Sequence, residues 1–271
     1  MTPSPAPSLA EAVERAGAIA DDVLFPRAQE TDQAATVPAE NLQVLREAGL
    51  LGLHGPTDVP GGIGADHAAA RPVLEAIAGG CGATSFVWAQ HHGAVRRVRA
   101  GDGPACRTWL PRLCDGSTLA GIGFAYLRRP GPPAVRAERV ADGWRIDGRA
   151  PWITGWGVID ALIVMARAAD GSVVTVAIEA PDERPELRAG EPQSLAVMGA
   201  TRTVSLAFDG LEVGDEDVVG VLDHAAWDRR DRIGSSMPAP APLGIADRAI
   251  RLLAGTPGPF ADEAASALAA M

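Results

Sequence analysis

The chain has 271 residues, 47% of them hydrophobic, enough for one large domain or two to three small ones, and disorder is excluded for most of its length. Its 24 basic residues are all arginine and face 34 acidic ones, a net charge of −10 that argues against a dedicated binder of nucleic acid or acidic membranes. Cys81, Cys106 and Cys114 are an odd number without zinc-type spacing, so neither a disulfide framework nor a structural metal is expected, and a reducing cytoplasm suits them.

Residues 1–8 alternate proline with small residues and read as a frayed tail. From Leu9 the series Leu9, Val13, Ala16, Ala20, Val23 has helical spacing and should stop before Pro26. A second helix is expected from Pro38, carrying Leu42, Leu45 and Ala48 and ending at Gly49. After the loop HGPTDVPGGIGADH, helical signals resume over 68–78, 85–99 and 102–113, so residues 9–118 read as an all-helical N-terminal domain.

Near Leu119 the hydrophobic period changes from about 3.6 to 2, the mark of a switch from helix to strand. VRAERV and WRIDG flank a short link at Ala141–Asp142–Gly143, and ALIVMARA and SVVTVAIE flank Asp170–Gly171, which gives two hairpins. RTVSLAFDGLEV adds a half-buried strand with Val204, Leu206 and Phe208 inward and Ser205 and Ala207 outward. Residues 119–222 therefore read as a small antiparallel β-barrel or sandwich. From 223 to 271 the pattern is helical again, with Leu243, Ala246, Ile250 and Leu253 on one face. The whole is an α+β multidomain chain.

Several chemistries have no motif here: there is no phosphate-cradling GxxxxGK[ST] loop, HExxH helix or GxSxG elbow. Gly61, Gly62 and Gly64 lie between helices, so they do not form a Rossmann fingerprint. His91 and His92 are adjacent on a helix, point about 100° apart and are poorly placed to share a metal. No apolar run is long enough for a membrane span.

Three strings together resemble the acyl-CoA dehydrogenase family of flavoproteins. LREAGLLGLHGPTDVPGGIGAD with LEAIAGGCGATSFVWAQHH resembles its N-terminal helices, and GWRIDGRAPWITGWGVIDALIVMARA its middle-domain stretch. MGATRTVSLAFDGLEVGDEDVVG is similar to the strands that close that domain. The resemblance covers roughly residues 9–222 and implies FAD as cofactor. It places Trp152 against the isoalloxazine ring, with Ile153 beside it and Thr154 offering hydrogen bonds near the reactive nitrogen; a Trp-Ile-Thr strand out of this context would suit ordinary core packing.

Tyr126, Leu127 and Arg128 fall at the family's other flavin-contacting stretch. Arg128 stands where the family has Thr, Arg129 where it has Glu, and the Gly-Ser-Asp portion that meets acyl-CoA is missing. Arg128 is expected either to face an anionic flavin or acidic ligand or to be a solvated strand-end arginine. His91 matches a His that often closes the corresponding helix and is carried as a catalytic candidate beside a structural role. The resemblance implies an FAD-dependent oxidoreductase acting on a CH–CH group of an acyl thioester. A flavin-dependent monooxygenase of the same fold and a non-catalytic partner subunit are the alternatives.

The family's C-terminal four-helix bundle needs about 100–150 residues, and residues 223–271 resemble only its first helix, so a truncated helical segment is expected. With it would go the family's carboxylate base and much of its oligomer interface. Apolar surface would be left for a homo-oligomer or for a full-length relative to cover.

Overall fold

The computed structural model describes residues 6–180, 184–256, 258 and 260–269. Of the expected tail, residues 1–5 lie outside the described residues, while Pro7 is buried against Gly49. Ser8 opens α1 (Leu9–Ile19) with a capping box: its hydroxyl accepts from the Glu11 amide and its own amide donates to the Glu11 carboxylate. Pro26 does not end this helical run. A wide π turn at Ala20–Leu24 and a 3₁₀ turn at Phe25–Arg27 carry the chain into α2 (Ala28–Gln33). Pro26 sits in the first turn of the 3₁₀ segment, where its missing N–H costs no helical bond.

Helix α3 (Ala39–Glu47) follows Pro38, and Gly49 leaves it at φ 74°, a left-handed turn that favours glycine. The glycine-rich loop then folds on itself so tightly that a Cβ on Gly52 would lie 1.9 Å from the Gly61 carbonyl oxygen. Asp66 caps α4 (His67–Gly80) by accepting from the Ala69 amide. Beyond it come α5 (Gly82–Arg99), whose Val87, Trp88, His91, Val95 and Val98 are buried, and α6 (Ala105–Cys114).

Among the described residues eight strands follow: β1 (Ala120–Gly123), β2 (Val135–Val140), β3 (Gly143–Ile153), β4 (Ala161–Ala168), β5 (Val173–Glu179), β6 (Leu187–Ala189), β7 (Val204–Gly214) and β8 (Val218–Leu222). They form one mainly antiparallel sheet in the order β6-β7-β3-β2-β4-β5-β8, and β1 lies parallel on β4. The β2–β3 and β4–β5 hairpins turn at the two Asp-Gly links. Strand β4 is buried from Ala161 to Ala166, and in β7 Ala207 is buried rather than outward, with its cross-strand partners on that face the long side chains Arg149 of β3 and Arg188 of β6.

Three helices close the described chain: α7 (His224–Ser236), α8 (Pro240–Gly255) and α9 (Ala261–Ala269). Trp227 pins α7 to the sheet, with its indole N–H 3.4 Å from Met165 Sδ. Helix α8 lies on α4, but not through the expected face. Gly244 is its buried residue, so close to α4 that a Cβ there would meet the Glu75 carbonyl oxygen at 2.0 Å. Arg248 donates to the Gly79 carbonyl at 2.9 Å and pairs with Asp21. Backbone contact through a glycine sets the helix's rotation, and Leu243 and Leu253 are left exposed, together with Ile245 and Leu252. No helix among the described residues is long and apolar enough to cross a membrane.

Candidate functional site

A cleft of about 640 Å³ opens between α5, the end of β1 and the joint of α7 with α8. Helix α5 contributes Ala89, Gly93, Arg96 and Arg97, and the opposite wall carries Arg230, Asp231 and Ser235. Ile122, Phe124 and Arg128 form its floor and edge. Concave space with an apolar lining and a few polar groups is the usual form of a small-molecule site.

The segment that holds the family's other flavin-contacting stretch, Ala125–Arg128, is a 3₁₀ turn, which buries Tyr126 and Leu127 and turns Arg128 outward. The Tyr126 hydroxyl lies 2.9 Å from the Gly123 carbonyl oxygen and 2.7 Å from that of Met165, and burial keeps it protonated. The Arg128 guanidinium makes a fork with Asp231 at 2.7 and 2.8 Å and also donates to Ser235 Oγ, so it ties the turn to α7. Its chain neighbour Arg129 lies 4.4 Å above the ring of Trp152, which is 41% exposed. Ile153 is fully buried. Thr154 Oγ1 lies 3.1 Å from Thr203 Oγ1, which in turn bonds Thr201 Oγ1, a row of three buried hydroxyls. Of the six sequence-derived contact residues, Trp152 and Arg128 present accessible groups, and the other four stand behind them.

His91 is in the core. Its Nε2 donates to the Leu51 carbonyl and its Nδ1 accepts from the Ala120 amide, both at 3.1 Å, which fixes one neutral tautomer. Burial pulls its pKa down to about 4. Both ring nitrogens are thus engaged in joining α5 to the loop before α4 and to β1, and none is directed into the cleft. His92 is equally buried, stacked edgewise on Trp88 at 4.3 Å, with neither ring nitrogen hydrogen-bonded.

The sequence reading missed His54. It donates from Nδ1 to the Ala65 carbonyl at 2.8 Å, leaving Nε2 to accept from Arg96 at 3.1 Å. Burial holds His54 near pKa 4, so it is a neutral acceptor that aims Arg96 without neutralising it. Burial also lowers Arg97, and the charge of Arg230 acts in the same direction. The available signals were the Arg pair in HHGAVRRVR and the RRDR run at 229–232, but which of these arginines meet is a matter of tertiary placement. Cys114 is buried and its thiol pushed up to about 12. No cluster among the described residues has the His, Cys, Asp or Glu groups to hold a metal.

Residues 8–117 match the family described as acyl-CoA dehydrogenase, N-terminal domain. The short-chain specific acyl-CoA dehydrogenase of bovine mitochondria (Bos taurus) is 25% identical over 212 residues, 74% of this chain and 50% of that protein. Residues 8–117 thus carry the N-terminal domain of the acyl-CoA dehydrogenase family.

The helical layer and mainly antiparallel sheet are the architecture of that family. Glutaryl-CoA dehydrogenase from Mycobacterium smegmatis superposes with a TM-score of 0.74 at 24% identity, covering 91% of this chain and 64% of that one. A structure of glutaryl-CoA dehydrogenase from the same organism in complex with FADH2 gives 0.68 at 20% identity, covering 91% and 60%. A dibenzothiophene monooxygenase from Paenibacillus sp. A11-2 gives 0.67 at 20% identity, covering 80% and 55%. At these identities the structures speak for the fold. The chain spans about half the length of the curated acyl-CoA dehydrogenases it matches.

Proposed function

We propose that this chain is an FAD-dependent oxidoreductase of the acyl-CoA dehydrogenase type, acting on a CH–CH bond of an acyl thioester. The observation that carries this reading is the junction at Arg128–Arg129. Arg128 edges the cleft while Arg129 covers the accessible indole of Trp152, so a substrate space and a flat aromatic platform adjoin across one peptide bond. An indole face with a guanidinium beside it fits a planar ring bearing an anionic tail, and the FADH2 complex of a fold neighbour agrees with that cofactor. Trp152 and Arg129 would contact the ring, Thr154 would supply a hydroxyl that keeps spare hydrogen-bonding capacity beside Thr203, and Tyr126, Leu127 and Ile153 would stiffen the wall.

Bound FAD supplies a two-electron acceptor for the hydride that leaves Cβ, while the Cα proton goes to a base. Asp231 is the one carboxylate lining the cleft among the described residues, and both its oxygens bind Arg128. His91 has no free nitrogen. We assign it the role of holding α5 in place and assign the base to a segment or partner chain that reaches the cleft from outside. The exposed apolar row Leu243, Ile245, Leu252 and Leu253 gives that partner, a second copy or a full-length relative, a place to sit. A cytoplasmic location accords with the free thiols.

The deciding experiment titrates the purified chain with FAD and then adds a panel of acyl-CoA thioesters without oxygen. Loss of the oxidised flavin absorbance with at least one thioester is expected; a flavin that none of them bleaches, in the presence of the partner, refutes dehydrogenation. A second reading, a monooxygenase supplied with reduced flavin, is favoured by the turn at Ala125–Arg128, whose Arg128 is drawn to Asp231 instead of a thioester. Substrate-dependent uptake of oxygen by the reduced protein is its signature.

A further inference from the structure

We propose that the cleft between α5 and α7 recognises an oxyanion carried on the acyl part of the ligand, so that the substrate is an acidic acyl group, such as the half-thioester of a dicarboxylic acid. The inference rests on the proposed acyl-thioester chemistry and names the substrate class of that site.

Four guanidinium groups line the cleft, from Arg96, Arg97, Arg128 and Arg230, against the single carboxylate of Asp231. Asp231 is consumed by its fork with Arg128. Arg96, Arg97 and Arg230 have no carboxylate within ion-pair distance among the described residues, although the chain as a whole carries ten excess negative charges. Other arginines do reach a carboxylate, as in Arg112 with Glu179, Arg139 with Asp215 and Arg188 with Asp209. Three cations without an ion pair stand around one concavity, and Arg230 adds to the lowering that burial imposes on the Arg97 pKa, against the opposing pull of Asp231.

The manner in which Arg96 is held points the same way. Its anchor is a buried imidazole, which takes one N–H through Nε2 and leaves the charge intact. A carboxylate in that place would orient the guanidinium equally well but cancel the field in the cleft. Arg99 donates to the His54 carbonyl at 2.9 Å and so braces the same anchor from below. A planar fork aimed into a cleft without a counter-charge is suited to bidentate capture of a carboxylate or phosphate oxygen pair.

Choice between those two oxyanions comes from the rest of the lining. Ala89, Gly93, Ile122 and Phe124 put apolar surface in the same cavity. A ligand that satisfies both halves has a short carbon chain ending in an acid, rather than a bare phosphate. The apolar surface takes the methylenes and the arginines take the terminus.

The test is isothermal titration of the FAD-treated full chain with glutaryl-CoA and with pentanoyl-CoA, which share a five-carbon acyl length and differ by the terminal carboxylate. Glutaryl-CoA is expected to bind at least tenfold more tightly, with the advantage shrinking as salt is raised. Arg97→Gln and Arg230→Gln should each narrow the ratio between the two thioesters several-fold, and Arg97→Lys should recover part of it.

Equal affinity for the two thioesters overturns the proposal, and that comparison needs no variant to fold. A ratio that survives both Gln substitutions, in proteins whose thermal melts match the parent, also overturns it. CoA alone and ADP serve as phosphate probes. If either binds as tightly as glutaryl-CoA and weakens with the same variants, the cleft reads phosphate and the acidic-acyl assignment falls. Flavin absorbance in the same samples separates the two levels of argument. Bound FAD without an acid preference refutes only this inference. Absent FAD refutes the oxidoreductase reading, while the heats of thioester binding still score the acid preference.

Discussion

Lowering the pH from 8 to 5 should destabilise this protein steeply, and three buried histidines give the size of the effect. His54, His91 and His92 are at most 1% exposed, and burial lowers the pKa of each: to about 4 for His54 and His91, and well below the ordinary 6.5 for His92. In the unfolded chain each titrates near 6.5, so above that pH both states are neutral and the fold keeps its full stability. As pH falls from about 6.5 towards 4 the unfolded state takes up protons that the folded state refuses, and stability is lost. At pH 5 the cost is about 2 kcal/mol each for His54 and His91, from 1.5 pH units at about 1.4 kcal/mol per unit, hence about 4 kcal/mol for the two, and His92 adds to it in the same direction. Domains are held by only about 5–15 kcal/mol in total. Urea unfolding followed by tryptophan fluorescence at pH 8, 7, 6 and 5 measures this directly. His92→Leu should flatten the dependence, since it removes one titrating group with no hydrogen bond to lose. A stability that changes by less than about 1 kcal/mol across that range would refute the reasoning.

Gly244→Ala places a methyl group against the Glu75 carbonyl and should lift α8 from α4 at a cost of about 1–3 kcal/mol, read as faster tryptic cleavage after Arg248 and Arg251. Trp227→Ala opens a cavity between α7 and Met165 and should lower stability by about 3–5 kcal/mol in urea. Arg128→Ala breaks an ion pair whose arginine is 47% exposed, so chemical denaturation should register a loss of only about 0–1 kcal/mol.

What could be read from sequence divides along contact range. The hairpins at Asp142–Gly143 and Asp170–Gly171 were legible because alternation and turn chemistry are local properties, and β2–β3 and β4–β5 pair there. The helical N-terminal part was legible for the same reason. Pro26 misled because a π turn ahead of it moved the proline into a first-turn position, which no periodicity records. The face of α8 misled because Gly244 and the α4 backbone set its rotation, so that apolar spacing alone pointed to the wrong side. Within the candidate site, Trp152 and Arg128 were singled out through family resemblance, and both present accessible groups. His54 was not found, since the bond that gives it meaning spans 42 residues, and the Arg128–Asp231 fork spans 103. His91 stood out in sequence for its chemistry, yet the backbone groups of Leu51 and Ala120 occupy both its nitrogens.

The lodging of α8 on α4 also sets a schedule. Arg248 closes a bond to Gly79 that lies 169 residues back along the chain, and its ion pair with Asp21 reaches back 227. During synthesis at about 5–20 residues per second, α4 waits on the order of 10–30 s for the helix that covers it. Over that interval the N-terminal helices have been made while one of their faces is open to solvent and to other chains. A ribosome pausing before residue 240 would prolong that exposure, and the nascent chain would then be most in need of a chaperone.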